Sequence, residues 1–405
     1  MSTVDKIAKI TDRAGTGAPN FTNGFTIAGV DSGLDPFSHT EGATAPSNPT
    51  NGDTWWDTVN SVYYVYMNST WQNWLGVPFS GPAYMGTRGI IAGGYGGSTN
   101  STGAEDIQYI TIASPGNATD FGNLTRETSR AGMHSNGSRI VVAGGRAGGT
   151  ATNSIDYITA ATTGNASDFG DLTESRFGMG GGGDATRSVF AGGWGAVNTG
   201  SPTGTDSRTI DYITTGTTGN ATNFGDLSYY RKYITATSDA TRTIFAGGQE
   251  TASGTNSLVN TMEYVTTQTT GNVTDFGDLL AVSYDMGGGV IASETRGIFV
   301  GGGQFTLNPY TFTYLQTIQY VTIATTGNAT DFGDTLQGLV HSATCADGTT
   351  GIIAGGQKGG SGSQDDNTIQ KITIATTGNA TDFGDLNPVN SSDANNKYAS
   401  GASGS

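Results

Sequence analysis

The sequence predicts an all-β protein in which most of the chain repeats one unit. The string Gly-Asn-x-Thr/Ser-Asp/Asn-Phe-Gly occurs six times, and its phenylalanines lie 48 to 56 residues apart. A short apolar run that ends in Gly-Gly also occurs six times, as does a segment of the form Ile/Met-x-Tyr/Lys-Ile/Val-Thr. Self-similarity at a nearly fixed period indicates a repeat architecture.

Each repeat contains four segments that favour strands. Residues 107–112 alternate with period two and are β-branched, and residues 188–191 form a short apolar run that is typical of a strand buried on both faces. The Phe-Gly-Asp-Leu segment begins a third strand, and residues such as 176–181 supply a fourth. Four strands per roughly 50 residues is the period of a β-propeller blade.

The predicted fold is therefore a six-bladed β-propeller over residues 81–405. The first Gly-Gly strand, residues 87–92, has little sequence before it that could complete its blade. The segment Tyr398–Ala402 at the C-terminus supplies the missing strand. Closure by this strand removes the free sheet edges that invite aggregation.

The repeat resembles the kelch repeat. The resemblance lies in the apolar strand that ends in Gly-Gly, in the aromatic strand after a variable loop, and in an arginine about five residues past Asp-Leu. Arg130, Arg176 and Arg231 match that arginine, whereas phenylalanine replaces the tryptophan of the outer strand in every unit. The resemblance implies a divergent kelch-like propeller. The arginines that precede the Gly-Gly strands are expected to bridge neighbouring blades.

The loops that follow Gly-Gly vary most in length. Insertions confined to one class of loop map to one face of a repeat array, and that is often the binding face. Neutral drift in these loops is the alternative. Their aromatic side chains are expected to be exposed and to bind a ligand. These candidates are Tyr95, Trp194, Phe305, Tyr310, Phe312 and Tyr314.

Two further segments precede the repeats. Residues 1–50 are polar and non-repetitive, and we expect an extended attachment arm. Residues 51–80 contain four of the five tryptophans and predict a β meander of three strands, at residues 54–57, 62–66 and 70–75. So small a unit is expected to bury its tryptophans against the propeller or a sister subunit.

Both N-terminal segments resemble phage proteins. Residues 51–76 are similar to a Gly-Asp-x-Trp-x-Asp-Thr module of phage tail and fibre proteins, and residues 10–24 are similar to N-terminal segments of marine phage fibres. The resemblance implies a virion protein of a cyanophage-type bacteriophage that is attached by this region and forms a homo-oligomer in the particle. The residues assigned to attachment are Ile10, Pro19, Phe21, Trp55, Trp56, Trp71 and Trp74.

Composition and charge exclude several classes of partner. The formal net charge of −16 is unsuited to nucleic acid, whose phosphates a protein contacts with basic groups. The same charge argues against an anionic glycan unless a cation intervenes. No apolar run is long enough for a membrane helix, and charges interrupt the apolar residues of the N-terminus, so neither membrane insertion nor a signal peptide is expected.

The sequence offers no catalytic cluster, and we expect no enzyme activity, cofactor or metal. The histidines, His39, His134 and His341, lack metal-ligand spacing and are expected at isolated surface or turn positions. Cys345 is the only cysteine, which excludes an internal disulfide. The repeated Asp-Phe-Gly-Asp pairs have the chemistry for calcium, although capping of their own turns is the more common role.

The sequence thus predicts a tail fibre or appendage that recognises a host-surface glycan or protein. Capsid decoration or a tail adaptor without receptor binding is one alternative. A bacterial kelch-like lectin is the other. Synthesis in the host cytoplasm followed by incorporation into the virion fits the N-terminus best.

Overall fold

The chain is described in a computed structural model. The described residues are 39–42, 44–46, 49, 53–57, 62–67, 70–73, 85–95, 103–196, 205–252, 255–307, 310–359, 364–387 and 398–404. Within these ranges every regular element is a β-strand and none is a helix, which confirms the all-β class. The chain divides into two compact units, Met1–Phe79 and Ser80–Ser405.

The first unit contains a four-stranded sheet. Three antiparallel strands lie at Thr54–Asp57, Val62–Met67 and Thr70–Asn73, close to the predicted meander. A fourth strand, His39–Gly42, pairs parallel with the first of them, inside the segment expected to be an extended arm. The Trp55 indole helps to hold this fourth strand, because its Nε1 donates a hydrogen bond of 3.0 Å to the carbonyl of Gly42.

The second unit contains six sheets with the same antiparallel path of four strands, which we number I to VI along the chain. In each sheet the first strand given is the inner strand. Sheet I comprises Ser400–Gly404, Arg88–Ala92, Ala104–Thr111 and Thr119–Thr128; sheet II comprises Gly132–Ser135, Arg139–Ala143, Ser154–Thr159 and Ser167–Asp171; sheet III comprises Gly180–Gly183, Arg187–Ala191, Thr209–Thr214 and Thr222–Asp226. Sheet IV comprises Thr235–Ser238, Arg242–Ala246, Thr261–Thr266 and Thr274–Asp278; sheet V comprises Ile291–Ala292, Arg296–Val300, Thr317–Thr322 and Thr330–Asp334; sheet VI comprises Ala343–Ala346, Thr350–Lys358, Gln364–Thr373 and Thr381–Asp385, with Leu339–Val340 beside its second strand.

The variable segments after Gly-Gly form short strands of their own. The expected loops are thus largely β-hairpins that extend from the second and third strands of a sheet. Their strands are Arg146–Ala147 with Thr150–Ala151, Trp194–Ala196 with Thr205–Asp206, Arg231–Lys232 with Gln249–Ala252 and Thr255–Leu258, and Gly303–Leu307 with Tyr310–Tyr314.

The C-terminal strand belongs to sheet I. Ser400–Gly404 pairs antiparallel with Arg88–Ala92, so the two ends of the second unit share one sheet. Each inner strand contacts the inner strand of the next sheet, and that of sheet VI contacts that of sheet I. The first and last strands of the second unit are thereby paired in sheet I.

The apolar core lies between the sheets rather than within any one of them. Six clusters of buried side chains occupy the six contacts between successive sheets, including the contact of sheet VI with sheet I. Between sheets II and III, for example, Phe169 packs with Phe190 and Met179. No single sheet can bury its faces alone, which is why the repeat must recur.

The Gly-Asn motif joins each sheet to the previous one. The motif asparagine accepts a hydrogen bond from a backbone N–H of the preceding sheet, as Asn220 does from Asp171 at 3.1 Å. The glycine after the motif phenylalanine is required, because a Cβ at Gly170 would lie 2.5 Å from the carbonyl oxygen of Gly219, the first glycine of the next copy. The same hydrogen bond links Asp385 of sheet VI to Asn117 of sheet I at 3.0 Å. The repeated motif therefore encodes contacts between sheets.

The arginines before the Gly-Gly strands bridge neighbouring sheets, as predicted. Arg187 lies over the ring of Tyr212 at 4.2 Å and donates a hydrogen bond to the carbonyl of Thr267 in the next sheet. Arg88, Arg242 and Arg296 make equivalent contacts, and so does Arg139.

Candidate functional site

Six residues on the N-terminal side of the inner strands form a closed cycle of backbone hydrogen bonds. Each N–H donates to the carbonyl of the equivalent residue one sheet earlier, and Arg130 donates to Tyr398 at 2.9 Å to complete the cycle. The donor–acceptor distances range from 2.6 to 3.1 Å. We call these residues the left-handed hexad: Arg130, Gly178, Tyr233, Asp285, His341 and Tyr398.

The hexad concentrates backbone strain. Its five non-glycine members have φ between 51° and 61°, and no other non-glycine residue in the described ranges has a positive φ. A bulky residue in this conformation costs about 1–2 kcal/mol, and such residues cluster at binding and catalytic sites. The sixth member is glycine because a Cβ at Gly178 would lie 2.6 Å from the Tyr233 ring.

The hexad side chains form a compact polar and aromatic group. The Arg130 guanidinium lies 4.0 Å from the ring centre of Tyr398 and 4.8 Å from that of Tyr233, whose hydroxyl accepts a hydrogen bond at 3.3 Å. Asp285 and His341 are both buried, and Nδ1 of the histidine lies 3.3 Å from the carboxylate. The imidazole also contacts the Tyr398 ring, with 3.6 Å between ring centres. Cationic, anionic and aromatic groups thus meet at one end of the inner strands.

Burial and charge set the protonation of this group. Burial raises the pKa of the Tyr398 hydroxyl to about 12 and also raises the pKa of Tyr233, despite the opposing charge of Arg130. Burial alone would lower the pKa of Arg130, but the nearby Asp285 carboxylate outweighs it and holds that pKa above its usual range. At neutral pH the two hydroxyls are therefore protonated and the guanidinium is charged.

The candidate aromatics from the variable segments adjoin the hexad. Phe305 and Phe312 both meet Tyr284 edge-on, at 5.7 and 6.0 Å, and Tyr284 lies 6.0 Å from Tyr233. Tyr314 packs on Phe312 at 4.7 Å. The hairpin at residues 303–314 therefore continues the aromatic surface outward from the hexad.

Trp194 joins the same surface from another side. It meets Phe177 edge-on at 5.0 Å, and Phe177 lies 6.4 Å from Tyr233. Its side chain is half-buried, with the Lys232 ammonium 5.8 Å from its ring. The structure thus brings together Trp194, Phe305, Phe312 and Tyr314. Tyr310 lies in the same hairpin, and its side chain is outside the described residues.

Tyr95 belongs to this group but not to its exposed part. Its side chain is 3% exposed, so the expectation of an exposed residue is wrong. Its ring meets Tyr398 edge-on at 4.7 Å, and its hydroxyl accepts a hydrogen bond of 2.9 Å from Arg146. These contacts hold the ring against the hexad. Tyr95 can orient Arg146 and Tyr398, whereas its aromatic faces are covered.

One arginine matched to the kelch pattern has a different place. Arg176 and Arg231 are fully buried and reach a carboxylate of the next sheet, Asp211 and Glu263 respectively. In the first repeat Arg126 has this role, since it pairs with Asp156 at 2.8 Å. The assignment of Arg130 was therefore wrong. Arg126 and Arg130 lie four positions apart in the sequence, and only the geometry of the turn shows which of them forms the ion pair.

Two of the histidines are buried, which corrects the prediction of surface positions. His341 sits in the hexad, and His134 in the inner strand of sheet II is 2% exposed. Burial lowers the pKa of His134 to about 4, and its Nδ1 lies 2.9 Å from the Ser188 hydroxyl. The His134 ring lies between neighbouring inner strands and the His341 ring lies against Tyr398 and Asp285, contacts that sequence spacing does not reveal. The His39 side chain lies outside the described residues.

A small cavity lies at the other end of the inner strands. Its volume is about 10 Å³, and its lining residues are Met85, Met133, His134, Ser135, Val290, Ala402 and Ser403. That volume is about the minimum for one water molecule. Met85 is the first described residue of the second unit and packs against two of the core clusters. The described chain therefore enters this unit at the end opposite the hexad.

The residues assigned to attachment are only partly described. Within the first unit the Trp55 ring is 3% exposed, stacks on Tyr64 at 5.1 Å and meets Trp71 edge-on at 6.0 Å. Trp55 thus packs on neighbouring rings of its own sheet, and the packing of this segment against the propeller or a sister subunit stays a prediction. Trp56 lies in a strand, but its side chain is outside the described residues. Ile10, Pro19, Phe21 and Trp74 are also outside the described residues.

In the described ranges, no three histidine, cysteine or acidic side chains come together as a metal ion would require. No helix among the same residues is long and apolar enough to cross a membrane.

The chain matches no protein-family model and none of the curated proteins.

Proposed function

We propose that the second unit is a six-bladed, kelch-like β-propeller closed by its C-terminal strand, and that its hexad end is a binding face. Sheets I to VI supply the blades. The proposal is supported by the contact of sheet VI with sheet I, by the pairing of residues 400–404 with residues 88–92, and by the cyclic hydrogen bonds of the hexad. Closure on this pattern leaves each sheet with only short edges, and the inner edges are protected by the neighbouring inner strands.

The observation that carries the binding function is the convergence of aromatic side chains on the hexad. Trp194, Phe305, Phe312 and Tyr314 come from two different hairpins and are connected to one another through Phe177, Tyr233 and Tyr284. Aromatic residues dominate binding hot spots, and their flat apolar faces suit sugar rings. Strained backbone at the same end fits a site that is preorganised for a ligand.

We propose further that the protein is a bacteriophage virion appendage, a tail fibre or related structure, and that this face recognises the host surface. The phage-like N-terminal segments would attach it to other virion proteins and the propeller would be displayed. The position of Met85 at the end opposite the hexad supports an arrangement in which the binding face points away from the point where the chain enters the propeller.

A bacterial kelch-like lectin would use the same face without a particle. Purified particles distinguish the two functions, since antibodies raised against the full-length chain should label virions only if it is an appendage. An internal or capsid-lattice location would favour decoration or an adaptor. Absence from particles would contradict the virion function and leave the lectin.

Recognition is tested on particles that carry substitutions in the binding face. The combination Trp194→Ala, Phe305→Ala, Phe312→Ala and Tyr314→Ala should reduce adsorption to host cells at least tenfold. Tyr229→Ala with Tyr230→Ala is the matched control, because both tyrosines are about half exposed and the side chain of Tyr230 contacts Arg208 rather than a hexad residue. Normal adsorption by the four-residue variant would leave the propeller a spacer or decoration.

A further inference from the structure

The hexad end is cationic although the chain is strongly acidic. Arg130 and Arg146 lie 5.9 and 5.8 Å from the ring centre of one residue, Phe177, and Lys232 lies 5.9 Å from the ring of Tyr233. The formal net charge of the whole chain is −16. A local cluster of cations on such a background creates an electrostatic field that the net charge does not describe.

Two of the three cations, Arg130 and Arg146, form no ion pair within 4.0 Å among the described residues, although the charge of Asp285 acts on Arg130. Lys232 pairs with Asp206 at 3.2 Å, but no carboxylate lies within 4.0 Å of either guanidinium. Asp285 is the nearest acid that acts on Arg130, and it is paired with His341. The arginines that join the sheets differ, since each reaches a carboxylate or a backbone carbonyl of the next sheet.

The hydrogen-bonding needs of Arg130 are met only weakly within the protein. Its guanidinium donates to the Tyr233 hydroxyl at 3.3 Å and interacts with that of Tyr398. Arg146 donates to the Tyr95 hydroxyl and to the carbonyl of Gly149. A guanidinium has five N–H donors in a planar fork that matches a carboxylate in two-point contact. Donors therefore remain at both arginines for a bound anion.

We propose that the hexad end binds an acidic saccharide, with its carboxylate at Arg130 and Arg146 and its ring against the neighbouring aromatic faces. Trp194 and Phe305 are half-buried and flank the cations through Phe177 and Tyr284. The protonated hydroxyls of Tyr233 and Tyr398 can donate to sugar oxygens. This inference rests on the proposed binding face and names the class of ligand that the face selects.

The sequence alone argued against this ligand. The net charge of the chain predicted that an anionic glycan would be repelled. The repulsion is a long-range effect and is screened beyond about 8–10 Å at physiological ionic strength. Contact selectivity is set by the two guanidinium groups within the site, so the charge of the whole chain does not decide it.

The test uses the full-length protein and paired oligosaccharides that differ only in charge. Titration calorimetry with oligogalacturonate should give saturable binding, at least tenfold tighter than with the matching neutral galactose oligomer. Arg130→Gln and Arg146→Gln should each weaken uronate binding at least tenfold and remove most of its salt dependence. Arg208→Gln is the control, because Arg208 is exposed and its contacts with Asp226 and Tyr230 involve no hexad residue. The Arg146 side chain donates to Tyr95 and lies over Phe177, neither of which belongs to the hexad, so its variant keeps the test valid if Arg130→Gln does not fold.

Three results would overturn the proposal. These are equal binding of both oligomers, uronate binding that neither arginine variant weakens, and binding of hexaglutamate tighter than any uronate.

Other outcomes distinguish failure of the acidic specificity from failure of the proposed recognition function. If the neutral oligomer binds and Trp194→Ala abolishes that binding, the face is a neutral glycan site and only the acidic specificity is lost. If no oligomer binds but the four aromatic substitutions still impair adsorption, the face recognises another host structure.

Discussion

The contacts between sheets I to IV and those between sheets IV, V, VI and I use the same position in two different ways. The residue after the fully buried isoleucine or methionine of the third strand accepts a backbone N–H from the preceding sheet at five of the six contacts. At the sixth contact this residue, Glu263, accepts from the Arg231 guanidinium. In the first half it is a carboxylate that also receives an arginine, as in Asp211 with Thr173 and Arg176. In the second half it is a glutamine, as in Gln370 with Leu336. The residues in order of sheet II to sheet VI and then sheet I are Asp156, Asp211, Glu263, Gln319, Gln370 and Gln108.

The difference separates a geometric requirement from its chemistry. The fold needs an acceptor at this position, and both carboxylate and amide oxygens satisfy it. A buried ion pair adds strength only while both partners are present, since loss of one leaves an uncompensated buried charge. The amide needs no partner. The charged half should therefore be the more fragile to single substitutions, although the two halves have the same backbone path.

The largest expected effect comes from removing one partner of a charged contact. Asp211→Asn keeps the shape of the side chain but leaves Arg176, which is fully buried, without its counter-charge. We expect the free energy of unfolding to fall by about 3–5 kcal/mol in chemical denaturation. Asp226→Asn, at the exposed pair with Arg208, is the control and should cost under about 1 kcal/mol. Equal losses in the two variants would remove the distinction between buried and exposed pairs.

Acid should weaken the charged half through His134. Its pKa of about 4 in the folded protein lies below the unfolded value of 6.5, so the unfolded state takes up the proton first. The stabilising contribution is complete above pH 6.5 and is lost as the pH falls towards 4, by up to about 3 kcal/mol. Unfolding measured from pH 7 to 4 should therefore have a shallower pH dependence in His134→Gln than in the natural chain. The same slope in both proteins would contradict the burial of a neutral histidine.

The smallest effect is expected in the neutral half. Gln370→Leu removes the acceptor for the Leu336 N–H but leaves no charge behind, and the amide nitrogen of Gln370 has no hydrogen-bond partner in the described residues. The loss should be about 1 kcal/mol. A loss as large as that of Asp211→Asn would show that the acceptor, rather than the charge, dominates both kinds of contact.

The repeat explains why the all-β class and the strand positions could be predicted. Period, turn residues and β-branched alternation are local signals, and they placed the strands around Ile107, Val189 and Phe169 where the structure has them. The change from three acids to three glutamines at one repeat position is also visible in the sequence. Aligning the six units on the Gly-Asn motif would have revealed which repeats carry an arginine partner.

The hexad could not have been predicted from a motif. Its members are Arg130, Gly178, Tyr233, Asp285, His341 and Tyr398, which share no chemical property. What they share is a left-handed backbone that lets each N–H reach the carbonyl of the equivalent residue one sheet earlier. That requirement comes from the arrangement of the sheets around one another. The burial of Tyr95 and the strand at residues 39–42 depend equally on contacts made far along the chain.

The central claim is that the C-terminal strand closes the repeat array. The reactivity of the single cysteine with thiol reagents tests this claim directly. Cys345 is 1% exposed, lies in the inner strand that contacts residues 400–404, and burial raises its thiol pKa to about 12. The full chain should therefore resist thiol reagents until it unfolds. Deletion of residues 397–405 should make Cys345 reactive and lower the melting temperature. Gly401→Ala, whose Cβ would lie 2.5 Å from the Thr344 carbonyl oxygen, should act in the same direction without shortening the chain. A truncated protein with an unreactive cysteine and unchanged melting would contradict closure.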